Sequence, residues 1–404
     1  HLARGGTKPG LSAGFPTYAP KEVSLGENGE MNPRIEWLEA GQQHSACWRS
    51  EAAIAPHGKI VIGDDRLGAD AAWRLISEGT AVLWRGDWQN ARKLLLTLTT
   101  RVDRLPRTGK RPSSAAESFT QHRQTQGRRA ALLGLLLVPL KADYKVPLRR
   151  AQDVQQACVE VYGLADEDSV VSLRELLAVV SAHEWRKKGV PVPAVEGRIY
   201  PHFGVFSPVR GEYVDLVAKA PLVEGCELAF DIGTGSGILA AVLARRGVKR
   251  VVATDQAPRA LECAQKNIEK LGWTATVEIL NVDMFPEGRA SLVVCNPPWV
   301  PAQPSSPIEY AVYDPDSRML RAFLGGLAAH LTPGGEGWLI LSDLAEHLGL
   351  RTRAELLALF ASGGLKVVAR IEARPTHPKA RDASDPLHAA RAAEVTSLWR
   401  LAAA

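Results

Sequence analysis

Four apolar runs between Cys226 and Pro298 each end on a polar residue where the chain must turn. They are CELAFDIG, turning at Asp231; RVVATDQ, at Asp255; TVEILNVD, at Asp283; and ASLVVCNPP, at Asn296. Two successive prolines lack the backbone donors a ladder needs, so the last run cannot continue as a central strand. Helical patterns alternate with these runs. APRALECAQKNIEKLGW places Leu261, Ala264, Ile268 and Leu271 on one face, with Pro258 in its first turn and Gly272 as its stop. Three more strand patterns follow, GEGWLILSD, LKVVARIEA and EVTSLWRLA. Repeated strand-helix units predict an α/β fold: a doubly wound, Rossmann-like sheet with ligands at the carboxyl ends of its strands. The last two strands are expected as an antiparallel edge hairpin.

The boundary before this region is GVPVPAVEGRIYPHFG, 189–204, where prolines and glycines break all periodicity. Residues 191–404 are therefore expected as one domain. A separate α/β or mostly helical domain is expected over 51–190, from strand patterns such as KIVIGDD and TAVLWRGD and helical ones such as WQNARKLLLTLTTRVDR. Residues 1–50 lack periodicity and are expected as an irregular arm. The chain starts on His, in a Gly- and Pro-rich stretch, which suggests a trimmed end with Met31 nearer a native start. A length of 404 residues with 46% hydrophobic content allows two cores.

Charge is uneven. Residues 101–150 hold 12 Lys/Arg against 3 Asp/Glu, a local +9, whereas the stretch from 201 onward is nearly neutral. A basic segment suits a polyanion, although a solvated helix face has the same composition. The five cysteines, at 47, 158, 226, 263 and 295, form no CxxC pair and no metal-ligand spacing with the histidines. A reducing cytoplasm is the expected compartment. The longest apolar run, ALLGLLLVPL at 131–140, falls short of the roughly 20 residues a membrane helix needs, so no membrane segment is expected.

The chemistry starts at AFDIGTGSGILAAVLARRG, where Asp231 is followed by Gly233, Thr234, Gly235 and Gly237 and then by a helix. Glycines permit positive φ and close backbone approach to a ligand, although a tight structural turn uses them as well. The acid-led spacing differs from the GxGxxG of dinucleotide folds. Asp255, twenty-four positions later, suits the two hydroxyls of a ribose. Asp283 is placed to receive an adenine amino group, with Met284 to pack on the ring.

These residues resemble the class I S-adenosylmethionine-dependent methyltransferases, in the branch that methylates planar amino nitrogens. DIGTGSG, Asp255, VDMF and NPPW match that branch's motifs in order, over about residues 200–404. The resemblance implies S-adenosylmethionine as cofactor, with S-adenosylhomocysteine as product and no metal. It implies cofactor contacts at Asp231, Gly233, Thr234, Gly235, Gly237, Asp255, Gln256, Asp283, Met284 and Asn296. It also assigns the methyl-transfer site to Asn296, Pro297, Pro298 and Trp299. The Asn296 side-chain oxygen and the Pro297 carbonyl would accept the two N–H groups of the substrate, while the prolines stiffen the turn. Trp299, where the branch usually carries Tyr or Phe, would stack on the planar acceptor.

Two acceptors follow from further likenesses. FSPVRGEYVDLV resembles the segment before the glycine loop in release-factor glutamine methyltransferases, with Arg210 and Glu212 on its Arg-x-Glu pattern. A large N-terminal α/β domain is instead found in some rRNA guanine methyltransferases, and there a basic segment would hold RNA or DNA phosphates. The cations concerned are Arg123, Arg128, Arg129, Lys141, Lys145, Arg149 and Arg150. A nucleobase amine is therefore the first expectation, a protein glutamine the second and a small molecule the third. Tyr310 and Tyr313 lie in the loop after the motif, where substrate pockets are commonly shaped. Asp343, His202, Trp338, Trp399 and Cys295 are read as structural: a helix cap, a packing histidine, core aromatics and a buried strand residue.

Overall fold

The computed structural model describes residues 33–106, 111–165, 167–208, 211–375 and 382–404. Its first sheet begins inside the expected arm. RIEWLE buries Ile35 and Trp37 at alternate positions and forms β1 (Arg34–Glu39), which turns directly into β2 (Gln42–Arg49). Ala40 and Gly41 make the turn at φ of 51° and 78°. That is the doubly left-handed geometry of a two-residue hairpin. An Ala at the first of these positions is a weak signal in a sequence, so the hairpin was hidden there.

The chain continues through β3 (Ile60–Gly63), α1 (Ala69–Ser77), β4 (Ala81–Trp84), α2 (Trp88–Asp103), α3 (Ala115–Leu133), β5 (Leu136–Leu140), α4 (Gln155–Tyr162), β6 (Ser169–Ser172) and α5 (Leu173–Lys188). The sheet order is β1-β2-β6-β5-β4-β3, with β3, β4 and β5 parallel. The apolar run 131–140 splits at Gly134, which ends α3, and its second half becomes the fully buried β5. Pro139 is tolerated there because pairing with β4 stops at Leu137, leaving the missing N–H without a ladder position to fill.

A short antiparallel pair, β7 (Val190–Val192) and β8 (Gly197–Ile199), follows. Then come α6 (Glu212–Lys219), β9 (Leu228–Ile232), α7 (Ile238–Arg245), β10 (Arg250–Asp255), α8 (Pro258–Leu271), β11 (Val277–Asn281) and β12 (Ala290–Cys295). The last elements are α9 (Arg318–Leu327), β13 (Leu331–Ser342), α10 (Leu344–His347), α11 (Arg353–Ser362), β14 (Leu365–Ala373), α12 (His388–Ala393) and β15 (Thr396–Ala403). Seven strands order as β11-β10-β9-β12-β13-β15-β14, the first five parallel. β15 runs antiparallel between β13 and β14, so β14 holds the edge and α12 lies in the connection. The final pair is thus an inserted strand and an edge strand: Leu398 and Leu401 of β15 are fully buried in the cores on the two faces, whereas β14 is exposed or half-buried along its length beyond Leu365.

Apolar cores lie on both faces of this sheet, one packed by α6 and α7, the other by α9 and α11. The first sheet has its own core. Residues Pro33–Ala404 nonetheless pack as one compact unit. Arg259 of α8, for example, binds the Glu51 carboxylate at 2.8 Å and the Val161 carbonyl at 2.9 Å. Among the described residues no helix is long and apolar enough to cross a membrane.

Candidate active site

Strand register lines up the polar ends. Ile232 of β9 sits opposite Thr254 of β10 on one side and Cys295 of β12 on the other. One residue further, Gly233 therefore lies between Asp255 and Asn296, at the carboxyl ends of three adjacent parallel strands. This is the crevice where doubly wound sheets bind ligands.

Asp231 is 1% exposed and organises the turn from beneath. Its Oδ2 accepts the Thr234 hydroxyl at 2.6 Å and the Ala240 amide at 3.0 Å, tying β9 to α7. Burial pushes this carboxyl up to about 6, against the pull of those two bonds, and the nearby Asp255 charge adds to the rise. Gly233, Gly235 and Gly237 have φ of 69°, 55° and 79°. A side chain at Gly233 would meet the Met319 methyl at 2.4 Å, and one at Gly237 would press on Ala264 at 3.2 Å. At Gly235 the space is open, so only the backbone conformation requires glycine.

Asp255 closes the turn from the other side, its Oδ2 accepting the Gly235 amide and its Oδ1 the Ala257 amide, both at 3.0 Å. β11 stops at Asn281, and Asp283 lies two residues beyond, half exposed, with Arg318 at 3.8 Å. Met284 has φ of 69°, held by the Thr254 hydroxyl donating to its carbonyl at 2.6 Å. Gln256 is exposed. An open glycine turn flanked by a hydrogen-bond-accepting carboxylate and an apolar methionine is compatible in chemistry with a ribosyl-adenine sulfonium, whose hydroxyls donate and whose ring packs.

β12 delivers Asn296 immediately after the buried Cys295, whose thiol burial pushes well up. Pro297 is buried; Pro298 and Trp299 are half-buried. The Trp299 indole N–H donates to Asn296 Oδ1 at 2.8 Å. From Val300 the chain leaves and returns, since the Asp314 amide donates to the Val300 carbonyl at 2.9 Å. Asp314 then caps α9 through the Met319 and Leu320 amides at 3.1 and 3.2 Å, which brings Met319 over Gly233.

Several functional neighbours could not be read from local sequence. Helix α3 of the first sheet covers the loop after the motif. Arg123 binds both Glu309 oxygens, at 2.9 and 3.1 Å, and the Gln303 carbonyl at 2.7 Å, while its guanidinium lies 4.3 Å from the Tyr313 ring centroid. Phe119 packs with Val300, Leu344, Leu348 and Leu387 beneath. Asn267, fully buried on α8, donates to the Ser236 carbonyl at 3.0 Å and accepts the Tyr200 amide at 2.8 Å, bracing the glycine turn. A lone Asn on an apolar helix face was its signal.

Tyr313 thus packs against α3, and Tyr310 is 61% exposed. Arg210 lies outside the described residues; Glu212 opens α6. Asp343 does not cap α10 with its side chain; its Oδ1 accepts the Val395 amide at 2.7 Å, joining the end of β13 to the start of β15. His202 is 6% exposed, and burial lowers its pKa to about 4.

Residues 216–297 match the family model for ribosomal protein L11 methyltransferase (PrmA). The match runs from α6 through the glycine turn to the first proline of the motif. The chain carries a class I S-adenosylmethionine-dependent methyltransferase domain. Its relatives differ in what they act on. Ribosomal protein L11 methyltransferase of Pelotomaculum thermopropionicum is 45% identical over 69 residues, 17% of this chain and 22% of that protein. A tRNA1(Val) (adenine(37)-N6)-methyltransferase of Shewanella loihica is 28% identical over 176 residues, 41% of this chain and 69% of that protein. A release factor glutamine methyltransferase of Moorella thermoacetica is 39% identical over 119 residues, 26% of this chain and 42% of that protein. The chain thus spans about a fifth of the length of the first of these relatives.

Proposed function

We propose that this chain transfers a methyl group from S-adenosylmethionine to a planar amino nitrogen, with a nucleobase exocyclic amine in RNA or DNA as the leading acceptor. The observation that carries this reading is the Asn296 amide oxygen, held at the end of β12 beside the glycine turn. The strand alignment that sets Gly233 between Asp255 and Asn296 supports a methyl-donor cradle there with an acceptor for N–H beside it.

In this reading Asp231, Gly233, Thr234, Gly235 and Gly237 form the turn against which the cofactor's methionine end lies. Asp255 receives the ribose hydroxyls, while Gln256, Asp283 and Met284 border the adenine. The cofactor supplies a methyl group already activated by a positive sulfur, so positioning and charge complementarity remain for the protein to provide. A planar amine delocalises its lone pair and is a weak nucleophile. Asn296 Oδ1 and the Pro297 carbonyl accept its two N–H groups and favour the pyramidal geometry in which that pair is available. Once methylated, the nitrogen releases its surplus proton to solvent, and no metal is needed for this step.

The tRNA adenine-N6 relative favours a nucleobase, since it aligns with 41% of this chain. A protein glutamine is the second reading, favoured by the release-factor relative and by Glu212 at the start of α6. In both, the unit over 33–188 is the substrate-facing partner of the domain that follows it. The test is methyl transfer from tritiated S-adenosylmethionine into extract of cells lacking this gene, divided between nuclease and protease treatment. Label removed by nuclease alone is expected. Label removed by protease alone would replace the nucleobase with a protein acceptor.

A further inference from the structure

An aromatic ring after Asn-Pro-Pro is expected to serve through its face. The ring here is engaged through its edge. Trp299 Nε1 stands 2.8 Å from Asn296 Oδ1, three residues back, and the indole packs against the apolar residues on each side of the motif. We infer that Trp299 is a positioning residue for methyl transfer, which fixes the Asn296 side-chain amide with its oxygen toward the acceptor nitrogen. The inference rests on the amino-nitrogen reading above, and assigns a role within that site that the ring's face would not perform.

The chemistry is specific to tryptophan. An indole N–H donates only, so it pairs with the oxygen end of the amide and not with the NH₂ end. Rotating the amide by half a turn would set N–H against N–H₂ and lose the bond. Phenylalanine has no donor at this edge, and tyrosine carries its hydroxyl at the tip of a six-membered ring. The bond uses one lone pair of Oδ1 and leaves the second for a substrate N–H. Asn296 is half-buried, and without this partner its amide would sample both orientations at the moment of binding. Holding the productive one in advance removes that ordering step, which is where preorganisation acts on turnover.

Two measurements test this. In protein labelled with ¹⁵N-tryptophan, the Trp299 indole resonance is the one lost in Trp299→Phe. It should shift and lose exchange protection in Asn296→Ala, and an unmoved resonance would show that the bond is absent. The second measurement is kinetic, with tritiated S-adenosylmethionine and, as probes, total RNA and total protein from cells lacking the gene. Trp299→Phe keeps a flat aromatic face and loses the donor together with part of the packed ring volume, whose effect falls on stability rather than on the amide's orientation. It should lower kcat about tenfold with KM little changed. Trp299→Phe combined with Asn296→Ala should be no slower than Asn296→Ala alone. Additive losses, or a raised KM with unchanged kcat, would return Trp299 to a stacking role and overturn the inference. A wild-type protein that labels neither probe would fail the amino-nitrogen reading itself, whereas the indole resonance still reports whether the bond exists.

Discussion

Asp231 shows how one residue serves the site at a cost to the fold. Its carboxyl stands at about 6 in the folded chain because burial disfavours the charge, well above the ordinary 3.8. A folded-state value raised in this way means the native protein holds the proton more tightly than the unfolded chain. The stabilising contribution is complete below the ordinary carboxyl range and is lost as pH rises through about 6; by neutral pH the charged form costs roughly 3 kcal/mol. Both of its bonds reach the same oxygen, so Asp231→Asn can keep them. That variant should melt above wild type at about pH 8 without cofactor, and the gap should narrow as pH falls below about 6 and close only near about pH 4. A gap independent of pH would mean the charge is not what burial penalises. Asp255 and Asn296 should separate by role. Asp255→Ala should weaken S-adenosylhomocysteine binding at least about tenfold in calorimetry. Asn296→Ala should leave that affinity intact and lower kcat by about 100-fold or more. Both residues were legible in the sequence because each ends an apolar run at a turn. Asn267 was not, because its partners, Ser236 and Tyr200, are brought to it only by packing.

Elements were legible where the pattern was local. The five parallel strands fall on their apolar runs, and Gly272 ends α8 in the left-handed conformation, φ 78°. The buried face of α8 is set by Ala260, Cys263, Ala264, Asn267 and Ile268, with small residues where the helix lies close to the glycine turn, and Leu261 at its margin. What local pattern cannot contain is the approach of α3, since Arg123 and Glu309 are 186 residues apart. Their side chains are 19% and 27% exposed, so this bidentate pair is largely shielded from solvent. Burial alone would raise the Glu309 carboxyl, yet the Arg123 and Ser305 bonds outweigh it and hold the group below its ordinary value. Arg123→Ala should therefore destabilise the fold by about 1–3 kcal/mol. It should also speed amide exchange over 300–314 and raise the acceptor KM while cofactor affinity stays constant. Unchanged exchange in that loop would show that the remaining contacts, Phe119 with Val300 and Tyr313, suffice to hold it.

At the scale of the whole molecule, a local charge count misled about the surface. Six of the seven cations expected to track phosphates are paired within the chain: Arg123 with Glu309, Arg129 with Asp103, Lys141 with Asp168, Lys145 with Asp143, Arg149 with Asp65 and Arg150 with Asp87. Arg128 is exposed. Four of the six acids, Glu309, Asp168, Asp65 and Asp87, lie outside the 101–150 window, so the +9 counted along the sequence is not a field of +9 in space. The pairs exposed on both sides, Lys141–Asp168 and Lys145–Asp143, contribute little stability, and a phosphate can compete for them, but each competition leaves a carboxylate behind. If the acceptor is RNA, its affinity should fall with salt far less steeply than seven phosphate contacts would require. Such contacts imply a slope of log K against log salt of about −6, whereas one or two imply roughly −1 to −2. Titration of labelled RNA between about 50 and 200 mM NaCl distinguishes the two. The shallow slope is expected, with recognition resting on the base that enters the Asn296 pocket. A slope near −6 would mean that the ion pairs open on binding, and Arg149→Ala and Arg150→Ala should then each reduce it by about one.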